Sequence, residues 1–199
     1  MNKLPVMESF YTLQGEGVYN GTAAYFIRLA GCDVGCSWCD VKESWEVNQD
    51  QYVEENKLVE LAVHSGSKIV VITGGEPLMH KLDSLTEKLK QAGLKTHLET
   101  SGAYAMSGSW DWVCVSPKKF KPSLPKVLKT ANELKIIIVN NKDFAWAEKH
   151  AQLVKQDCQL LLQPEWEKSV KIVPAVIEYI KANPQWRISL QQHKFLDIP

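Results

Sequence analysis

Short apolar runs of strand length alternate with longer segments of helical period, and this alternation limits the possible folds more than any other feature. Residues 25–29, 69–73, 96–99, 112–115, 134–139, 160–163 and 187–190 read as strands. Residues 53–65, 82–92, 125–131, 144–155 and 170–182 read as helices, with apolar residues recurring at three or four as in Leu82, Leu85 and Leu89. Several strands are apolar on both faces, which suits a sheet covered by helices. Strand–helix alternation implies parallel strands joined by right-handed crossovers. At 199 residues the chain is short for a full eight-unit α/β barrel, which typically takes about 250. No repeat or linker marks a boundary, so one domain over 1–199 is expected.

Charge and composition exclude several classes of function. The 23 basic residues balance 23 acidic ones, whereas a nucleic-acid binder usually carries a basic excess, so no direct nucleic-acid partner is expected. No apolar run approaches the roughly 20 residues needed to span a bilayer, so no membrane partner is expected. The N-terminal residues lack a signal-peptide core, and five cysteines are an odd number, so a reducing, cytoplasmic setting is expected. All eleven glycines fall between Gly15 and Gly108. Glycine lets backbone approach a ligand closely, so the first half reads as the ligand-contacting half.

Cys32, Cys36 and Cys39 are spaced C-x3-C-x2-C directly after the strand at 25–29. Ligand sites in parallel α/β folds form at such strand ends. Three readings fit these thiols. Zinc would need a fourth ligand, with His64 or His80 as candidates. A redox dithiol would use Cys36 and Cys39 but leave Cys32 unexplained. An iron–sulfur cluster normally takes four cysteines, so three leave one iron open to a small ligand. Cys114 and Cys158 sit in apolar runs and read as small buried residues.

A strand followed by C-x3-C-x2-C, with aromatic Trp38 before the last cysteine, resembles the radical S-adenosylmethionine (SAM) enzymes. A second match is Gly74-Gly75-Glu76-Pro77 after the strand at 69–73. Two glycines admit a zwitterion to the backbone, and a carboxylate pairs with an ammonium. The resemblance narrows to the 7-carboxy-7-deazaguanine synthase family over nearly the whole chain. It is carried by the runs at 9–17, 26–32, 98–102, 115–118 and 162–164, and by the ending at 187–199.

The resemblance implies a shortened, partial (β/α) barrel of about six parallel strands. It implies a lyase reaction in which 6-carboxy-5,6,7,8-tetrahydropterin loses ammonia to give 7-carboxy-7-deazaguanine, in the queuosine pathway of tRNA modification. A 4Fe-4S cluster on Cys32, Cys36 and Cys39 would bind SAM at the open iron, and a 5′-deoxyadenosyl radical would start the chemistry. SAM would lie among Trp38, Cys39, Asp40, Gly75, Glu76, Ser116, Pro117, Lys118 and Gln163, with Ser101 on the same rim. No catalytic side chain is expected beyond cluster and SAM. The pterin would be held by Leu13, Gln14, Gly15, Glu16, Arg28, Thr73, His193 and Pro199, whose terminal carboxylate completes the pocket. Phe195 and Leu196 argue that the C-terminal segment docks.

Arg28 also stands out from the residues alone. It is one of two arginines, against 21 lysines, and it sits inside an apolar strand. A guanidinium there needs an anion: either a carboxylate on a ligand or a structural partner such as Glu16. One position departs from the family, whose usual hydroxyl ligand for magnesium follows the C-D pair. Here it is Val41, which offers no oxygen. Asp40 in an outer shell is then the remaining contributor, and weak Mg2+ dependence is expected. The family also implies an electron donor such as flavodoxin or ferredoxin, and a homodimer. Two rival readings are a glycyl-radical-enzyme activase and a non-enzymatic zinc-bound interaction module.

Overall fold

The computed structural model describes residues 2–199. Nine strands form one sheet: β1 (Lys3–Leu13), β2 (Ala23–Leu29), β3 (Tyr52–Glu54), β4 (Ile69–Gly74), β5 (Lys95–Thr100), β6 (Trp112–Val115), β7 (Glu133–Ile138), β8 (Gln159–Pro164) and β9 (Trp186–Ile188). Their order is β3-β1-β2-β4-β5-β6-β7-β8-β9. The run from β2 to β9 is parallel throughout, so there are seven parallel strands where about six were expected. β1 pairs antiparallel with β2, and β3 pairs antiparallel with β1. The sheet is not closed: β3 and β9 are its edges.

The helices are α1 (Glu55–His64), α2 (Asp83–Gln91), α3 (Pro125–Leu128), α4 (Lys142–Ala151), α5 (Ser169–Ala182) and α6 (Gln192–Leu196). On and beside α2, Leu82, Leu85 and Leu89 are fully buried and join Ile27, Leu29, Val70 and Ile72 in one core. A second core gathers Leu98, Val115, Leu134, Ile136 and Leu162 with Phe144, Ile172 and Val176 from α4 and α5. Burying one such aliphatic side chain contributes about 1.5–3 kcal/mol. Cys114 and Cys158 are buried, as their apolar neighbours predicted. No helix among the described residues is long and apolar enough to cross a membrane.

Two sequence motifs meet where β2 and β4 end. Gly74 takes φ 118°, a backbone state that side chains rarely adopt. A Cβ at Gly74 would overlap the backbone of Leu29, and one at Gly75 would overlap Gly31. The glycine pair therefore lets the turn after β4 lie directly against the start of the cysteine loop. Backbone bonds join them: Gly75 N–H donates to Leu29 O at 2.8 Å, and Glu76 N–H donates to Gly31 O at 2.8 Å.

Candidate active site

A cavity of about 600 Å³ opens at the carboxyl ends of the parallel strands, a volume suited to small-molecule ligands. All three clustered cysteines line it, as do Leu13, Gln14, Gly15, Glu16, Arg28 and Thr73 from the first strands. Trp38, Asp40, Val41, Gly75, Glu76, Ser101, Ser116, Lys118, Gln163, His193 and Pro199 complete the set of expected residues that line it. Pro117 is the exception and does not line the cavity. It separates Ser116 from Lys118 on the strand-end turn, and these two face each other, with Lys118 Nζ donating to Ser116 Oγ at 2.8 Å.

The cysteine loop hangs from its ends. Gly31 N–H donates to Ser44 O at 2.7 Å and Cys32 N–H to Trp45 O at 3.1 Å, closing the base. Asp33, between the first two cysteines, is clamped by Lys121 Nζ at 2.7 Å and by the Tyr104 hydroxyl. Lys121 thus helps hold the loop. Burial pushes the Cys36 thiol up to about 11 and raises that of Cys32. Iron would reverse this, because a metal's charge deprotonates the thiols that bind it. All three cysteines line the one cavity. The zinc reading loses its fourth ligand here. His80 Nε2 is bonded to Ala30 O at 2.9 Å, and neither His64 nor His80 lines the cavity.

Glu76 is almost fully buried, and its carboxylate caps the short turn that follows. It accepts from Leu78 N–H at 3.0 Å, from Ser101 N–H at 2.8 Å, and from the hydroxyls of Thr100 and Ser101. With four protein donors it is a clasp between β4 and β5. The same carboxylate lines the cavity beside Gly75, so it also shapes the backbone where the expected ammonium would lie. Lys118 lies over the Trp38 ring at 4.9 Å, and burial lowers its pKa. Gln163 is buried and accepts from Ser189 Oγ at 2.7 Å.

Arg28 does not pair with Glu16. Its Nε donates to Glu8 at 2.6 Å, one strand over in the β1–β2 register. Glu16 instead meets Lys135 at 2.6 Å, and Lys135 also meets Glu99 at 3.0 Å. The loop bearing Glu16 is fixed at several points. Glu133 accepts from Val18 N–H at 3.2 Å, Ser189 from Gly17 N–H at 3.0 Å, and Gly15 O from Gln192 N–H at 2.8 Å. That last bond comes from α6, which sets His193 against Gly15. Burial lowers the His193 pKa, so the ring favours its neutral form. Phe195 and Leu196 remain exposed. What holds the C-terminal segment is two polar contacts, Lys194 on Asp40 and the Gln192–Gly15 bond, and one aromatic contact, Phe195 edge-on against Trp166.

The radical SAM superfamily model matches residues 26–137. A 7-carboxy-7-deazaguanine synthase from Flavobacterium psychrophilum is 50% identical over 196 residues, covering 98% of this chain and 93% of that protein. One from Escherichia coli is 37% identical, with 98% of each chain covered. The crystal structure of QueE from Escherichia coli superposes with a TM-score of 0.86 at 35% identity, over 96% of this chain and 95% of that one. The chain belongs to the 7-carboxy-7-deazaguanine synthase family.

A radical SAM enzyme of this family uses a 4Fe-4S cluster and SAM, and the three-thiol donor set at the cavity fits a cluster with one open iron. Magnesium fits less well. Asp40 already accepts from Lys194 at 2.8 Å and Gln191 at 3.0 Å, and Val41 adds no oxygen. Sequence reasoning missed Glu99, Glu133, Lys135 and Ser189. The signal was present for three of them: charged side chains inside strands apolar on both faces, the same criterion that singled out Arg28.

Proposed function

We propose that this protein converts 6-carboxy-5,6,7,8-tetrahydropterin to 7-carboxy-7-deazaguanine with loss of ammonia, in queuosine-type deazapurine biosynthesis. One observation carries the reading: the three thiols, the Gly74–Gly75 turn and the pterin-pocket residues all line one cavity. Held by Cys32, Cys36 and Cys39, a cluster with SAM would supply one-electron, hydrogen-abstracting chemistry. The protein's part is to orient and shield. Arg28 keeps its terminal NH2 groups for the substrate carboxylate, since Glu8 takes the Nε–H. Gln14 and Glu16 read the donor-rich edge of the pterin, with Leu13, Gly15, Thr73, His193 and Pro199 around it. Trp38, Asp40, Gly75, Ser101, Ser116, Lys118 and Gln163 hold SAM, and Glu76 shapes that wall.

One domain over 1–199, a cytoplasmic setting, a homodimer, and a flavodoxin or ferredoxin as electron donor complete the proposal. The test is anaerobic reconstitution with iron and sulfide, then incubation with SAM, a reductant and the carboxypterin. The expected result is a brown protein and 7-carboxy-7-deazaguanine by mass spectrometry. A colourless protein carrying one zinc would overturn the reading, and a brown protein that cleaves SAM without making this product would overturn the substrate.

A further inference from the structure

Beneath the cavity, one buried ammonium stands between two carboxylates. Lys135 Nζ lies 2.6 Å from Glu16 Oε2 and 3.0 Å from Glu99 Oε2. Its side chain is 6% exposed, those of Glu16 and Glu99 are 17% and 21% exposed, and all three line the cavity. The three groups come from different elements: Lys135 from β7, Glu99 from β5, and Glu16 from the loop after β1. Gln14 ties the two acids together, accepting from Glu16 N–H at 3.1 Å and donating to Glu99 at 3.5 Å.

The charges do not cancel. Two carboxylates against one ammonium leave a net negative charge at this end. Glu133, two residues along β7, does not add to it fully, because burial and the nearby charge of Glu99 raise its pKa. Burial alone would pull the Lys135 pKa down, but Glu16 and Glu99 outweigh it and hold it well above the ordinary lysine value. Burial opposes ionisation of Glu16 as well, and Lys135 reverses that. The floor of the cavity is therefore net anionic.

We propose that Lys135 is a positioning residue that fixes Glu16 and Glu99 as a pair, and that Glu99 is a further substrate-binding residue reading the ring N–H donors of a 2-amino-4-oxopyrimidine. This rests on the carboxypterin reading above. Such a ring offers adjacent N–H donors, and paired carboxylates accept them with defined direction. Without the ammonium, the two acids would repel and splay, and one would take up a proton.

The test uses reconstituted holoenzyme and measures KM separately for the carboxypterin and for SAM. Lys135→Met and Glu99→Gln are each expected to raise the pterin KM about tenfold to a hundredfold and to leave the SAM KM within about twofold. Lys135→Arg keeps the charge and is expected to restore most of the loss. If Lys135→Met does not fold, Glu99→Gln and Lys135→Arg decide. An unchanged pterin KM in Glu99→Gln, or an equal rise in both KM values, overturns the proposal. A wild-type protein that cleaves SAM but never turns over the carboxypterin fails earlier, at the substrate reading.

Discussion

The cysteine loop and the acid–lysine floor line the same cavity but are built by opposite means. The loop, from Cys32 to Val41, contains no helix or strand. It is fixed by backbone bonds at its base and by side-chain clamps on Asp33 and Asp40. The floor stands on β5 and β7, and its carboxylates are bonded to one buried ammonium. The contrast separates two demands on the site. Recognition geometry is set by the protein's own packing, whereas the thiols need only be brought near one another and take their final order from the iron they bind.

The predictions press on that contrast. Cys36→Ala should have the largest effect, abolishing both iron–sulfur absorbance and product, while thermal unfolding of the iron-free protein shifts little. A large loss of stability would show that the loop is structural after all. Arg28→Lys keeps the charge but loses the fork, and should raise the KM for the carboxypterin by about tenfold or more with SAM cleavage retained. Loss of SAM cleavage instead would place Arg28 with the loop.

A third prediction concerns stability behind the floor. His97 on β5 packs against Tyr19, and burial lowers its pKa to about 4. Its folded value is depressed, so the unfolded chain binds a proton between about pH 6.5 and 4 that the folded chain does not. Stability is complete above about pH 6.5 and should fall by roughly 2–3 kcal/mol as pH drops toward 4. Denaturant unfolding at pH 7 and pH 4.5 should show a flatter pH dependence for His97→Gln than for the wild type. Equal slopes would remove His97 from the account.

Two smaller effects test the loop. Asp33→Asn weakens an exposed clamp, whose ion pair is screened by solvent. It should shorten the lifetime of the cluster in air without changing the KM for the carboxypterin. Val41→Thr should introduce a magnesium response in turnover that the wild type shows only weakly. If both proteins respond alike, the missing hydroxyl is irrelevant.

The parallel strands were legible in the sequence because strands buried on both faces must be continuously apolar, as at Ile69–Gly74. β1 was not. Its Leu4, Pro5 and Val6 are buried but the rest is half-buried or exposed, and Pro5 and Glu8 interrupt the apolar pattern. α6 spans five residues, too short for any period to register. Within the site, cysteine spacing and the glycine pair were readable because both are local in sequence. Lys135 was passed over although it lies in the apolar run that follows Glu133. Its partners are 119 and 36 residues away, and only the fold brings them to it.

The glycine pair after β4 has a consequence for engineering. Because any Cβ at Gly74 or Gly75 would displace Leu29 or Gly31, the cysteine loop and the turn 35 residues beyond it in sequence form a single casting. Moving the three-cysteine segment alone onto another sheet would leave it without the backbone it rests on. A working transplant must carry both strand ends together, with the spacing between β2 and β4 that holds them in register.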